Sequence, residues 1–289
     1  MGRSIVACLC ISIFWFNCGF GQQYHITNDL VFAQTPERTL ALDLYLPKSQ
    51  SQPYLIIWVH GGAWHSGSKD NPPKDLLQRG YALASIDYRL TVEATFPAQI
   101  FDIKAAIRFL RAHATQYGYR SDKIFIWGSS AGGHLAALAG VTNGLPSMEG
   151  SLGDNLNVSS DIQGIIDFYG PSDLTTILAQ STPHGLNVRT PALALMFGKP
   201  LDQCKSELEN ASPVMHVSPD DPPLFICHGD QDIQVPVNQS IELFGKYRAL
   251  NLPVQLEWVY GAGHGGKKFG DSELIDSVIS FLQKIIHEK

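Results

Sequence analysis

The segment Gly128-Ser129-Ser130-Ala131-Gly132 restricts the possible folds more than any other stretch of this 289-residue sequence. It follows the apolar run Ile124-Phe125-Ile126-Trp127 and precedes Gly133-His134-Leu135-Ala136-Ala137-Leu138-Ala139, a small-residue run of helical character. A G-x-S-x-G at a strand-to-helix turn lets one serine project alone from a strand end, with a helix N-terminus beneath it. The glycines are needed because so tight a turn leaves no room for Cβ atoms beside a serine in strained backbone. Ser130 is thereby the candidate nucleophile, and Ser129, in the x position, points away.

The surrounding runs set the fold class. Residues 54–59, 81–86, 124–127, 164–169 and 224–227 are near-continuously apolar, as strands buried on both faces are. Between the second and third, Ile100, Ile103, Ile107, Leu110 and Ala114 recur at helical spacing, with Asp102, Lys104, Arg108 and Arg111 on the opposite side. A last strand at 254–259 precedes a helix bearing Ile275, Val278, Ile279, Leu282 and Ile286. Repeated β-α-β order predicts an α/β fold, a mostly parallel sheet with helices on both faces. Residues 40–46 alternate apolar with polar and predict a half-exposed antiparallel strand near the sheet edge. With 44% hydrophobic and 17% charged residues, the chain can bury one large core over residues 22–289. A net charge of −6 argues against binding a phosphate backbone, so no nucleic-acid partner is expected.

Residues 1–21 read as a signal peptide: a basic start at Arg3, an apolar stretch from Ile5 to Phe16, then Gly19 and Gly21. The stretch falls short of the roughly 20 residues a spanning helix needs, so export and cleavage after Gly21 are expected rather than stable membrane insertion. A lipid anchor on Cys18 is the rival reading. Cys204 and Cys227 remain outside the leader, and Cys227, inside an apolar run, reads as a buried small hydrophobe rather than half of a disulfide. Residues of about 172–223 are rich in proline, with a short apolar piece at 192–197, and predict a small cap over the carboxyl edge of the sheet.

A serine needs a base within hydrogen-bond reach, and the base needs a group to hold its tautomer. Two strand ends downstream offer these. The run 224–227 leads into His228-Gly229-Asp230-Gln231-Asp232-Ile233-Gln234-Val235-Pro236, and 254–259 leads into Tyr260-Gly261-Ala262-Gly263-His264. Either Asp230 or Asp232 could serve as the acid, and His264 is the base.

The pattern H-G-D-x-D-x-x-V-P followed by G-x-G-H resembles the esterase/lipase branch of the α/β-hydrolase superfamily. Within it the chain is most similar to bacterial carboxylesterases of the feruloyl and acetylxylan esterase type, the BD-FAE-like group. His60-Gly61-Gly62-Ala63-Trp64 and Asp87-Tyr88-Arg89-Leu90 with Phe96-Pro97-Ala98 agree, so the likeness covers about residues 24–287. It departs from the hormone-sensitive-lipase-like branch at Ala63, where that branch carries a third glycine.

The resemblance implies a catalytic triad of Ser130, Asp232 and His264, with Asp230 shaping the turn, and an oxyanion hole from the N–H groups of Gly62, Ala63 and Ala131. It implies hydrolysis of short-chain or aromatic acyl esters, small or linked to polysaccharide, without cofactor or metal. Trp64 and Tyr169 are expected to line the substrate pocket. His60, His134 and His228 are expected to be structural. An arylformamidase or prolyl-oligopeptidase-like amide hydrolase could share every catalytic residue, and a non-catalytic binding protein is the alternative from another class. Gly261-Ala262-Gly263-His264-Gly265-Gly266 also satisfies a dinucleotide fingerprint, but no further β-α-β unit follows it, so it carries no such function.

Overall fold

The computed structural model describes residues 23–288 and shows eight strands in one sheet. They are β1 (Tyr24–Gln34), β2 (Thr39–Pro47), β3 (Tyr54–Val59), β4 (Ala82–Ile86), β5 (Arg120–Ser129), β6 (Gly164–Phe168), β7 (Leu224–Gly229) and β8 (Val254–Val259). Their spatial order is β1-β2-β4-β3-β5-β6-β7-β8. Strands β3 to β8 run parallel, and β2 is antiparallel to both of its neighbours, β1 and β4. The proposed signal peptide, including Cys18, lies outside the described residues.

Period-two alternation within the apolar runs builds two cores, one on each face. Leu55, Ile57, Val59, Ile124, Ile126 and Ile165 face the helices Ala98–Ala112 and Ala131–Val141. Ile56, Phe125, Trp127, Ile166 and Phe225 face the terminal helix Ser272–His287, which buries Ile275, Val278, Ile279 and Leu282. Each such aliphatic side chain contributes about 1.5–3 kcal/mol on full burial, and the strand preference of the β-branched residues in these runs acts in the same direction.

Three expectations need correction. Strand β2 is not half-exposed: Asp43 is 5% and Tyr45 4% exposed, because Lys69 lies against Asp43 and Tyr45 packs in one cluster with Leu76 and Leu77. Asp43 tolerates burial by accepting from the Lys69 ammonium at 2.8 Å and the Asp29 N–H at 2.9 Å.

The polar side of helix Ala98–Ala112 is also buried, since Asp102 and Lys104 are 0% exposed. Asp102 holds Arg89 through bonds of 2.7 and 3.0 Å, and Lys104 donates to the Thr142 carbonyl, just past the end of helix Ala131–Val141, at 3.0 Å. Paired charges can be buried, and helical spacing alone cannot distinguish them from solvated ones.

The proline-rich insertion contains a 15-residue helix, Pro183–Phe197, not merely a short apolar piece. Pro183 stands in its first turn, where no N–H is needed, and the Thr182 hydroxyl caps it by accepting from Gly185 N–H at 3.0 Å. Pro191 lies inside the helix, and this proline is what hides the helix from a reading of the sequence. Cys204 and Cys227 are both buried free thiols.

Candidate active site

The turn between β5 and helix Ala131–Val141 holds Ser130 at φ 55°, ψ −120°, a conformation L-residues avoid. Crowding enforces it. A Cβ on Gly132 would come 2.0 Å from the Val59 carbonyl oxygen, and one on Gly128 would come 2.0 Å from that of Gly132. Gly132→Ala should therefore destabilise the fold by about 3 kcal/mol, the upper end for overpacking, because only backbone could yield. Urea denaturation that gives a loss below 1 kcal/mol would show that the elbow has room to spare.

Three strand ends then meet. Ser130 follows β5, Asp232 follows β7, and His264 follows β8. The His264 Nδ1–H donates to Asp232 Oδ2 at 2.7 Å, which leaves Nε2 to accept the Ser130 hydroxyl at 2.8 Å. Asp230 instead accepts the Gly261 N–H and ties the β7 loop to the β8 loop.

Sequence reading missed one participant. His228, expected to be structural, places Nε2 3.2 Å from Asp232 Oδ2 and 3.1 Å from the Val235 carbonyl, while its Nδ1 lies 2.6 Å from the Ser240 hydroxyl. Asp232 Oδ1 accepts the N–H groups of Gln234 and Val235 at 2.8 and 3.0 Å. Burial raises the Asp232 pKa, but bonds from His228, His264 and the Val235 N–H outweigh it and hold the carboxyl well below its ordinary range.

The turn after β3 approaches from the other side, with a Cβ on Gly61 only 3.4 Å from that of Ser130. Gly62 at φ 111° and Ala63 at φ 48° are both left-handed. The Gly62 carbonyl accepts from His65 N–H, Ser66 N–H and Ser66 Oγ at 3.1, 3.0 and 2.9 Å. Across the planar peptide, the Ala63 N–H must point the opposite way, so this triple anchor sets its direction. Ala131 opens the elbow helix, where first-turn N–H groups have no intrahelical acceptor. His60 braces the same turn, stacked on Tyr88 at 4.4 Å with Nδ1 2.7 Å from the Gly61 carbonyl oxygen.

A cavity of about 400 Å³ opens over these groups, walled by Ser130, His264, Gly62, Ala63 and Tyr169, with Val188 and Arg189 from the insertion helix. Two larger concavities, of about 590 and 560 Å³, contain none of the triad candidates. Tyr169 stands edge-on to His264 at 4.9 Å.

Trp64 does not line the cavity: it is 0% exposed, contrary to expectation. Its indole N–H donates to His134 Nδ1 at 3.0 Å, and His134 Nε2–H donates to the Ala211 carbonyl at 2.7 Å. Burial pushes the His134 pKa down to about 4, so the ring stays neutral and can accept from Trp64. The left-handed turn at Trp64 (φ 62°) aims the indole inward, which the order of residues does not disclose.

Asp167, beneath the elbow on β6, is 0% exposed. Its Oδ1 accepts the Gly170 N–H at 2.8 Å and its Oδ2 has no partner, so burial drives its pKa up to about 7. The folded state then keeps a proton that the unfolded chain releases near pH 4. Stability from this group is present below that pH and is lost as pH rises towards 7, by up to about 1.4 kcal/mol per pH unit. Asp167→Asn should remove that slope and be more stable than wild type at pH 8. Parallel denaturation curves for the two proteins from pH 4 to 8 would refute this.

The BD-FAE family model matches residues 42–247. The chain belongs to the BD-FAE family. Among curated relatives, the Mycobacterium tuberculosis esterase LipC is 32% identical over 216 residues, covering 73% of this chain and 52% of LipC. The chain spans about half the length of the curated relatives it matches. A truncated carbohydrate esterase from gut microbiota superposes with a TM-score of 0.82 at 31% identity, covering 93% of this BD-FAE chain and 99% of that one. A bifunctional GH43-CE protein from Bacteroides eggerthii gives a TM-score of 0.80 at 31% identity, over 90% of this chain and 35% of that one. The fold is that of the α/β-hydrolase esterases.

Proposed function

We propose that this protein is a serine carboxylic-ester hydrolase that works through an acyl-enzyme. The observation that carries the reading is the unbroken chain from Ser130 Oγ through His264 to Asp232, with bonds of 2.8 and 2.7 Å, at the floor of a cavity. His264 Nε2 takes the hydroxyl proton as Ser130 Oγ attacks the ester carbonyl. The N–H groups of Ala63 and Ala131, with that of Gly62, receive the developing oxyanion. Collapse expels the alcohol, protonated by His264, and leaves an acyl-serine that water cleaves by the reverse proton route.

The volume suits short-chain or aromatic acyl groups rather than long lipids. Polysaccharide-linked esters enter the reading through the carbohydrate esterases the chain resembles. The decisive experiment compares p-nitrophenyl acetate with N-formylkynurenine and a prolyl anilide. Turnover is expected with the ester, and faster cleavage of either amide would overturn the assignment.

The basic, then apolar, start of residues 1–21 supports export, and no helix among the described residues is long and apolar enough to cross a membrane. N-terminal sequencing of exported protein should begin at Gln22; an intact leader there would contradict processing at Gly21.

A further inference from the structure

Arg189 is the one strongly charged group in the wall of the catalytic cavity, and the serine mechanism above gives it nothing to do. It comes from the insertion helix Pro183–Phe197 and is 1% exposed. Among the described residues no Asp or Glu lies within ion-pairing distance of it; the salt bridges of the fold engage other cations. A guanidinium carries five N–H donors. Here Nη1 is buried with no partner, and Nε reaches the Gln234 carbonyl only at 3.5 Å. Its guanidinium carbon also lies over the Trp64 ring, 5.9 Å from the ring centroid. Burial lowers its pKa to about 10, with attraction from Asp232 acting the other way, so it remains cationic at neutral pH.

The structural reading of such a residue is a cation held by stacking alone. Buried charges, however, are ordinarily paired, and a cation without a counter-ion is costly to keep. Elsewhere in this fold that rule is obeyed: Arg108 and Lys104, equally buried, share Glu149. The cavity wall around Arg189 contains no acidic side chain, whereas His65 and His264 add two imidazoles. Cavity, unpaired donor and absence of carboxylate point the same way.

We infer that Arg189 recognises a carboxylate on the substrate, so that the preferred esters are anionic. This rests on the esterase reading and deepens it by naming a substrate class. A guanidinium binds carboxylate through charge-assisted N–H···O bonds, and the partnerless Nη1 is the donor such a carboxylate would engage. The carboxylate could sit on the acyl side or on the alcohol side of the scissile bond, and the shared chemistry is the anion.

The test measures kcat/KM for matched pairs in which one member carries a carboxylate where the other carries hydrogen. Monophenyl glutarate against phenyl butyrate probes the acyl side, and 4-acetoxybenzoate against phenyl acetate probes the alcohol side. Wild type should favour the anionic member of one pair, after correction for leaving-group reactivity by the hydroxide rates. Arg189→Met should collapse that preference by about 10²-fold, the scale of losing a buried charge partner, and Arg189→Lys should restore part of it. A wild-type ratio near one in both pairs overturns the proposal without needing any variant to fold. A preference that survives in Arg189→Met overturns it too. Failure to cleave any of the four esters would instead sink the esterase reading itself.

Discussion

Replacing Ser130 with alanine should lower kcat/KM for p-nitrophenyl acetate by about 10⁵–10⁶-fold, because a nucleophile and its base act as one unit and little remains without the first. The hydroxyl bonds His264 Nε2 at the cavity wall, so its loss leaves only a part-buried ring nitrogen that water can reach. The φ of 55° is unchanged by a methyl side chain, and the denaturation midpoint should stay within about 0.5 kcal/mol of wild type. A clean separation of activity from stability is therefore the expected result. Retention of even a hundredth of wild-type turnover would assign the nucleophile elsewhere. Mass spectrometry after rapid acid quench should find an acyl adduct on wild type and none on the same variant.

Asp232→Asn should lower kcat by about 10⁴-fold and also weaken the fold, and the two losses share a cause. The carboxylate accepts from four groups: His264 and His228 at Oδ2, Gln234 N–H and Val235 N–H at Oδ1. An amide presents one acceptor and one donor, so either orientation sets its NH₂ against two N–H groups. Leaving them unsatisfied in a site 9% exposed costs about 2–4 kcal/mol. His264 would also settle in the tautomer that cannot accept the serine proton. The pH dependence has a definite sign. The folded pKa of Asp232 is depressed, so its stabilisation is present above the ordinary carboxylate pKa and disappears as pH falls below it. The stability gap between wild type and Asp232→Asn should be full at pH 7 and shrink below about pH 4. A gap of equal size at pH 7 and pH 3 would show that the carboxylate charge is not its source.

Much of this architecture is legible in the order of residues. The apolar runs 54–59, 124–127 and 224–227 became β3, β5 and β7, because strands buried on both faces tolerate no polar interruption. Gly132 was legible for a related reason, since a tight elbow excludes any Cβ. Where the reading erred, the deciding contact lay far away in sequence. Asp102 and Lys104 looked solvated until Arg89, Thr142 and Glu149 arrived to partner them. Trp64 looked like a pocket residue because it adjoins the oxyanion turn, but the backbone there turns the indole towards His134. His228 looked structural because nothing local records that its ring reaches the carboxylate four residues on.

The positions of the core strands, the elbow with its serine and the candidate base His264 were legible in the sequence alone, since they follow from local periodicity and from turn chemistry confined to a few neighbouring residues, whereas Asp232 was preferred to Asp230 only through the family resemblance. The second histidine on Asp232, the inward Trp64 and the unpaired Arg189 were decided only by tertiary structure. Burial, pairing and charge balance depend on which distant segments meet, and a linear pattern does not carry those distances.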